Sequence, residues 1–186
     1  MPSPAPAPRD TTRSRAHCPR PEPSEIAESY RGYVALVPEG DVFATLERGL
    51  QETLELVGSF GEERGNHRYA PGKWSVKEVL GHLIDGERIL SYRALRIARG
   101  DPTPLPGYEQ DDYVASGAFD RRTLADLASE LALVRASTLA LFRSIEAEAW
   151  ERKGTANGVP FVARALPWIV AGHELHHRTV LRERYI

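Results

Sequence analysis

The sequence is poor in cysteine, in clustered positive charge and in long apolar runs. Its 186 residues include one cysteine, Cys18, which excludes a disulfide scaffold and a zinc module built on cysteines. Basic and acidic side chains nearly balance, 24 against 26, and no dense basic run is present, so we expect no nucleic-acid partner. Neither the roughly 18 to 20 apolar residues of a membrane helix nor a signal peptide is visible. We therefore expect a soluble, cytoplasmic protein without a membrane partner.

Proline is concentrated at the N-terminus. Seven of the 14 prolines fall within the first 23 residues, where large apolar side chains are almost absent. Such a segment cannot bury enough apolar surface to offset the entropy that it loses on ordering. The sequence therefore predicts a disordered tail over residues 1–24, which includes His17 and Cys18, and one domain over residues 25–186.

Apolar residues recur every three or four positions in four segments, whereas the alternation typical of strands is absent. Ser75 and Glu78 form a capping box at the start of the second segment. We predict an all-α protein, a four-helix bundle with a long crossover loop, residues 101–120, between helices 2 and 3. The connection over residues 151–161 is expected to form turns. The predicted helices span residues 41–63, 75–100, 122–150 and 162–184.

Histidine is the residue type whose distribution indicates a possible functional site. Three of the six histidines fall within residues 172–177, Gly-His-Glu-Leu-His-His. At about 100° per residue, His173 and His177 lie roughly 40° apart around a helix and continue its apolar stripe. Two imidazoles at this spacing can bind one divalent metal ion, but they can equally be hydrogen-bonded core residues. His82, on the second predicted helix, is a third possible ligand under the same two interpretations.

The same run matches the H-E-x-x-H pattern of zinc proteases, in which Glu174 would be the general base. Those enzymes place this helix beside a sheet, and no strand pattern is present here, so we disfavour that interpretation. Glu174 is instead expected to be exposed or to support a ligand. His176 is expected at the rim of the site or behind a ligand, and His67 is a weaker candidate for a position near it.

Two motifs together resemble the DinB-like (DinB/YfiT) superfamily of helical-bundle proteins. They are Pro-Gly-Lys-Trp-Ser-Val-Lys-Glu-Val-Leu-Gly-His over residues 71–82 and Ala-Gly-His-Glu-Leu-His-His over residues 171–177. The resemblance extends from about Ser24 to Ile186. It implies a bundle with crossover connections, formation of a homodimer and a metal site. The implied metal ligands are His82, His173 and His177.

The resemblance also implies a function, because some members are transferases or isomerases that use bacillithiol or mycothiol and others are described as hydrolases. We expect a metal-dependent enzyme in which a divalent transition metal, zinc or nickel, activates a bound thiol or water toward a small-molecule substrate. A low-molecular-weight thiol is the expected cofactor of the transferase reaction, since Cys18 is placed in the tail. Loop side chains are candidates for the substrate mouth: Tyr108, Glu109, Asp111, Asp112 and Tyr113.

Two alternative interpretations are that the protein is not an enzyme. The first is a non-catalytic metal-binding or stress-response bundle, in which a fourth protein ligand such as His176 or Glu174 closes the coordination sphere. The second is a helical interaction module that holds no metal at all. Metal content and the number of protein ligands separate these alternatives from the enzyme.

Overall fold

A computed structural model describes residues 18–186 of the chain, and helices dominate it. Four long helices form the bundle, so the predicted all-α four-helix bundle is confirmed. Within residues 18–186, none of the helices combines the length and the apolar character that crossing a membrane requires. The helices are α1 (Glu28–Leu36), α2 (Val42–Phe60), α3 (Val76–Ala98), α4 (Gln110–Gly117), α5 (Leu124–Arg143) and α6 (Ala165–Arg184).

The bundle helices do not pack in chain order. Both α2 and α3 pack against α5 and α6, so α2 and α3 stand diagonally across the bundle. The connections over residues 61–75 and 144–164 therefore each cross an end of the bundle. The segment over residues 101–120 joins the neighbouring helices α3 and α5, and it contains α4 and a short 3₁₀ turn, Phe119–Arg121.

Residues 18–41, which precede α2, belong to the folded domain. Cys18 is only 4% exposed, and its thiol donates to the Arg164 carbonyl oxygen across 3.5 Å. Arg20 donates to the carbonyl oxygens at the end of α1. The prediction that Cys18 lies in a disordered tail is therefore wrong, because this part of the tail packs on the domain. His17 and the rest of residues 1–17 lie outside the described part of the chain.

A β-hairpin replaces most of the turns expected between α5 and α6. Strand β1 (Lys153–Ala156) pairs antiparallel with β2 (Val159–Val162). The Asn157-Gly158 turn has positive φ at both residues, 51° and 73°, as tight hairpin turns require. Leu105 adds a parallel bridge to Ala156, which ties the α3–α5 connection to the hairpin. The expectation of turns holds at the tip and is wrong for the two flanking strands, which are too short to show alternation.

The core consists of two apolar clusters with a polar layer between them. One cluster includes Leu46, Phe142 and Leu166, and the other includes Val57, Leu80, Leu127 and Leu181. On every bundle helix, a buried polar residue lies in the sequence between the contributions to the two clusters. These residues are Thr53 on α2, Glu87 on α3, Arg135 on α5 and Glu174 on α6.

Arg135 connects this layer across the bundle. It donates to both carboxylate oxygens of Glu87 at 2.8 Å and lies 2.9 Å from Glu174 Oε2. Thr53 donates to Glu174 Oε1 at 2.8 Å. Burial alone lowers the pKa of Arg135, but the charges of Glu174 and Glu87 outweigh that effect and raise it. The layer therefore fixes how α6 is rotated and shifted relative to α2, α3 and α5.

Candidate metal centre

Three histidines converge where α3 packs against α6. The Nε2 atoms of His82 and His173 are 2.8 Å apart. His177 completes the group, since one ring nitrogen from each residue lies within 4.8 Å of the others. The three pairs of ring centroids are 4.7 to 4.8 Å apart. The structure thus brings together the three side chains that the sequence singled out.

Local sequence creates room for this convergence. His173 and His177 are one turn apart on α6, so both rings lie toward α3. Gly86 follows His82 by one turn on α3, and a Cβ atom built there would lie 3.2 Å from His173 Cε1. The Ser75–Glu78 capping box at the start of α3 is present as predicted. A glycine one turn after His82 thus lets the His173 ring approach α3 closely.

The three rings are neutral nitrogen donors at neutral pH. Burial lowers the pKa of His82 to about 4, with the charge of Asp111 acting in the opposite direction. Burial, with the nearby His82 and His176, lowers the pKa of His177 to about 3. Burial also holds the pKa of His173 well below its usual value. Each neutral ring therefore carries one nitrogen lone pair, which can bind a metal ion.

The spacing of these donors fits a shared ion. Two lone pairs 2.8 Å apart repel each other unless a proton or a metal ion lies between them. Nitrogens about 2.1 Å from one zinc ion in tetrahedral geometry are about 3.4 Å apart, and the three ring nitrogens here lie within 4.8 Å of one another. Three imidazoles form a donor set that suits zinc and nickel. The residues present therefore fit a divalent transition metal.

Two aromatic residues that are not among the predicted site residues enclose the histidines. The Trp74 ring lies 4.7 Å from the His82 ring and is stacked at 6.3 Å on His177. Tyr33 of α1 contacts the rings of His173 and His176 edge-on, at 5.3 and 5.4 Å. Trp74 lies within the motif over residues 71–82, so the sequence contains a signal that could have identified it. Tyr33 has no sequence signal, because its position depends on how α1 docks on α6.

Two cavities reach the histidines. The first has a volume of about 390 Å³ and is lined by His82, His173 and the polar side of the α3–α5 connection, together with Tyr30, Tyr33 and Asn157. The second has a volume of about 340 Å³ and is lined by His176 and His177 with Tyr69, Lys73, Trp74 and Tyr185. Asp111 of α4 lines both. The histidine cluster therefore borders two cavities, which share Asp111 in their walls.

The candidate loop residues have different positions. Tyr108, Glu109 and Asp111 line the first cavity. Tyr113 lines a different cavity, which contains Arg93, and its ring contacts that of Tyr108 at 5.0 Å. Asp112 is exposed and lines neither of the two cavities that reach the histidines nor the cavity that contains Arg93. Part of the predicted substrate mouth thus faces the histidines.

Glu174 does not face the histidines. It is 3% exposed, and both carboxylate oxygens are engaged by Arg135 and Thr53 in the polar layer. The interpretation of Glu174 as a protease-type base is therefore wrong, and so is the expectation of an exposed carboxylate. His176 is half-buried and lines the second cavity, in agreement with a position at the rim. His67 is exposed beside Tyr185 and is not part of the cluster.

Comparison with known proteins agrees with this architecture. The sequence profile of the DinB superfamily matches residues 45–181. YfiT from Bacillus subtilis, described as a probable metal-dependent hydrolase with an unusual four-helix bundle topology, superposes with a TM-score of 0.64 and 17% identity over 88% of this chain and 91% of its own. The mycothiol-dependent maleylpyruvate isomerase superposes with a TM-score of 0.65 and 15% identity over 78% of this chain and 61% of its own. No curated protein is significantly similar in sequence. The two superpositions show a shared fold.

Proposed function

The chain belongs to the DinB superfamily, and on this premise we propose that it is a metal-dependent enzyme whose ion is held by His82, His173 and His177. The observation that carries the proposal is the convergence of three neutral imidazoles beside two cavities. Three protein ligands leave a coordination position open, as in catalytic sites. A divalent ion, zinc or nickel, would lower the pKa of a coordinated water or thiol and supply a nucleophile near neutral pH.

The remaining groups of the site bind and orient a small-molecule substrate. Burial raises the pKa of Tyr33 and that of Tyr108, so both phenols stay protonated and can donate hydrogen bonds in the first cavity. Trp74 covers His82 and His177 on the side of the second cavity and limits the access of water. Asp111 contributes a carboxylate to both cavities.

Thiol S-transfer is the reaction that this arrangement favours. A transfer between two molecules must bring both to the same metal ion, and two cavities border the cluster. The thiol must come from a small molecule, because the only cysteine, Cys18, is buried in the core. Hydrolysis, which uses water and needs only one of the cavities, is the second candidate. The similarity in fold to a protein described as a probable hydrolase supports it.

A non-catalytic metal site has less support. Structural zinc sites are usually closed by four protein ligands. Within residues 18–186, the group of possible ligands contains the three histidines and no fourth histidine, cysteine or carboxylate. Glu174, one of the two residues considered as a closing ligand, is held by Arg135 instead. Homodimer formation stays a prediction, which sedimentation of the purified protein can test.

Metal content tests the proposal directly. We expect close to one divalent ion per chain in the parent protein and less than about a tenth of that in His82→Ala and His173→Ala. His67→Ala is the matched control, because this histidine is exposed and lies outside the cluster. Elemental analysis supplies the measurement, and circular dichroism checks that each variant is folded. Folded variants that retain the ion would overturn the proposal.

Activity assays then separate the two reactions. The metal-loaded parent is supplied with mycothiol or bacillithiol and an aromatic electrophile, and separately with an activated ester in the absence of thiol. Thiol transfer predicts consumption of the thiol that disappears in the two cluster variants and persists in His67→Ala. Ester cleavage alone, with the same dependence on the histidines, would instead identify a hydrolase.

A further inference from the structure

A third cavity, with a volume of about 250 Å³, lies beside the C-terminal half of α3. Most of its wall is apolar or aromatic, and it shares only Tyr108 with the cavity that reaches His82 and His173. Its lining includes Ile89, Leu105, Pro106, Tyr108 and Tyr113. Two arginines, Arg88 and Arg93, also line it. It is thus an apolar pocket with cationic groups in its wall.

Arg93 is a buried cation that lacks a carboxylate partner in the described part of the chain. It is 2% exposed, and its one hydrogen bond to residues 18–186 runs from Nη2 to the Pro106 carbonyl oxygen at 3.0 Å. The Tyr108 ring lies 6.0 Å from the guanidinium carbon. A guanidinium carries five N–H donors, so most of the donor capacity of Arg93 is unused.

The other buried arginines are all paired. Arg135 contacts two glutamates, and Arg178 lies 2.7 Å from Glu52. Arg164 contacts Glu25 at 2.5 Å and also Glu151. An unpaired buried charge is costly, and within residues 18–186 every buried guanidinium has a carboxylate partner except that of Arg93. There, the cavity provides the space that a counter-charge from outside the chain would occupy.

We propose that this cavity binds the carboxylate of a small organic acid with an apolar or aromatic body, and that Arg93 is its anchor. The planar guanidinium matches a carboxylate in a two-point hydrogen bond. The apolar wall accepts the body of the ligand, and the volume suits a molecule built on a single ring. Arg88 is not the anchor, because it is already paired with Glu130 at 2.6 Å. The inference rests on this cavity and not on the metal centre.

Benzoate and its uncharged analogue benzamide test this inference. Titrations followed by NMR would use the full chain in its metal-depleted and metal-loaded forms. We expect benzoate to bind both forms alike and benzamide to bind at least about tenfold more weakly. Arg93→Gln should weaken benzoate binding by about tenfold or more. Arg99→Gln is the matched control, because Arg99 is exposed at the end of the same helix and does not line the cavity, and it should leave affinity unchanged.

A second variant tests the same cavity with Arg93 left in place. Ile89→Trp fills the space with a side chain from the cavity wall, so benzoate binding should be lost while the melting temperature stays near that of the parent. Three results would overturn the proposal: no benzoate binding to the parent up to about 10 mM, binding that survives Ile89→Trp, or binding that requires the metal. The last result would assign benzoate to the metal centre, whose own tests by metal content are independent of this one.

Discussion

At the scale of single residues, His173 and Glu174 have separate roles because an α-helix turns by about 100° between neighbours. The His173 ring faces α3 and meets His82, whereas the Glu174 carboxylate faces α5 and meets Arg135. The histidines of this H-E-x-x-H pattern, four residues apart, therefore share one face of α6, whereas the glutamate between them lies in the core. The His173 side chain belongs to the candidate site, whereas the Glu174 side chain belongs to the polar layer that orients α6.

Substitution of Glu174 distinguishes these roles. We expect Glu174→Gln to retain the metal ion and to lower the free energy of unfolding by about 1 to 3 kcal/mol, because a buried charged hydrogen bond to Arg135 is weakened. Elemental analysis and chemical denaturation measure the two quantities. His173→Ala, one residue away, is the comparison and should lose the ion. Loss of the ion from a folded Glu174→Gln protein would place the carboxylate at the metal.

Arg135 is the residue on which the polar layer depends most. We expect Arg135→Met to lower the free energy of unfolding by about 3 to 5 kcal/mol, since Glu87 and Glu174 would then be buried without a cation. Arg143→Met is the control, because Arg143 lies on the same helix with a half-exposed partner, Glu47. The control should change stability by less than about 1 kcal/mol. Similar losses in the two variants would show that the buried layer contributes little.

At the scale of elements, α1 reaches the histidine cluster only because α6 carries a glycine, Gly172, where the two helices meet. A Cβ atom on Gly172 would lie 2.0 Å from the backbone oxygen of Tyr33, a contact that no side-chain rotation relieves. We expect Gly172→Ala to lower the melting temperature and to displace α1, which would remove Tyr33 from His173. Thermal unfolding and Tyr33 ring NMR shifts would measure this.

The matched control for this prediction is Gly32→Ala on α1. A Cβ atom there meets nothing within 4 Å, and alanine favours a helix over glycine by about 1 kcal/mol. Gly32→Ala should therefore leave stability unchanged or raise it, and should leave Tyr33 in place. A Gly172→Ala protein with the parent's melting temperature and Tyr33 environment would contradict the close packing of α1 on α6.

The elements that the sequence predicts are those with an apolar stripe of their own. Periodicity locates the four bundle helices, and Ser75 marks the start of α3 correctly. Apolar periodicity does not reveal α4, which is short and largely polar. It also misses the hairpin, whose four-residue strands contain Gly154 and Pro160. Their conformations depend on contacts with distant segments, such as the bridge between Leu105 and Ala156.

The residues of the candidate site likewise fall into those that the sequence predicts and those that it does not. His173 and His177 can be paired from helix geometry, and the resemblance adds His82. Tyr33 and Arg93 cannot be found in this manner, because their importance comes from what lies beside them in space. The sequence alone does not distinguish a buried arginine from an exposed one. Motifs therefore identify the metal-binding candidates, whereas the surrounding cavities emerge only from the packing of α1, α4 and the hairpin.

At the scale of the whole molecule, the segment over residues 18–24 closes the end of the bundle that carries the N-terminus of α6. Cys18 packs in the larger apolar cluster, and burial raises the pKa of its thiol. Arg20 stacks on Trp168 of α6 at 4.7 Å and holds the end of α1. Because Cys18 is the only cysteine, its reactivity reports on this docking without any mutation.

We expect the native protein to react with Ellman's reagent at least about 100-fold more slowly than the denatured chain, because a buried and protonated thiol must first be exposed. The rate of absorbance change is the measurement.

Arg135→Met, which weakens the distant polar layer, distinguishes two ways in which Cys18 can become exposed. If Cys18 is released only when the whole bundle unfolds, this variant should react faster by the same factor by which its unfolding equilibrium constant rises. If residues 18–24 detach by themselves, the rate should match that of the parent. Equal rates for native and denatured parent would instead mean that the segment does not dock.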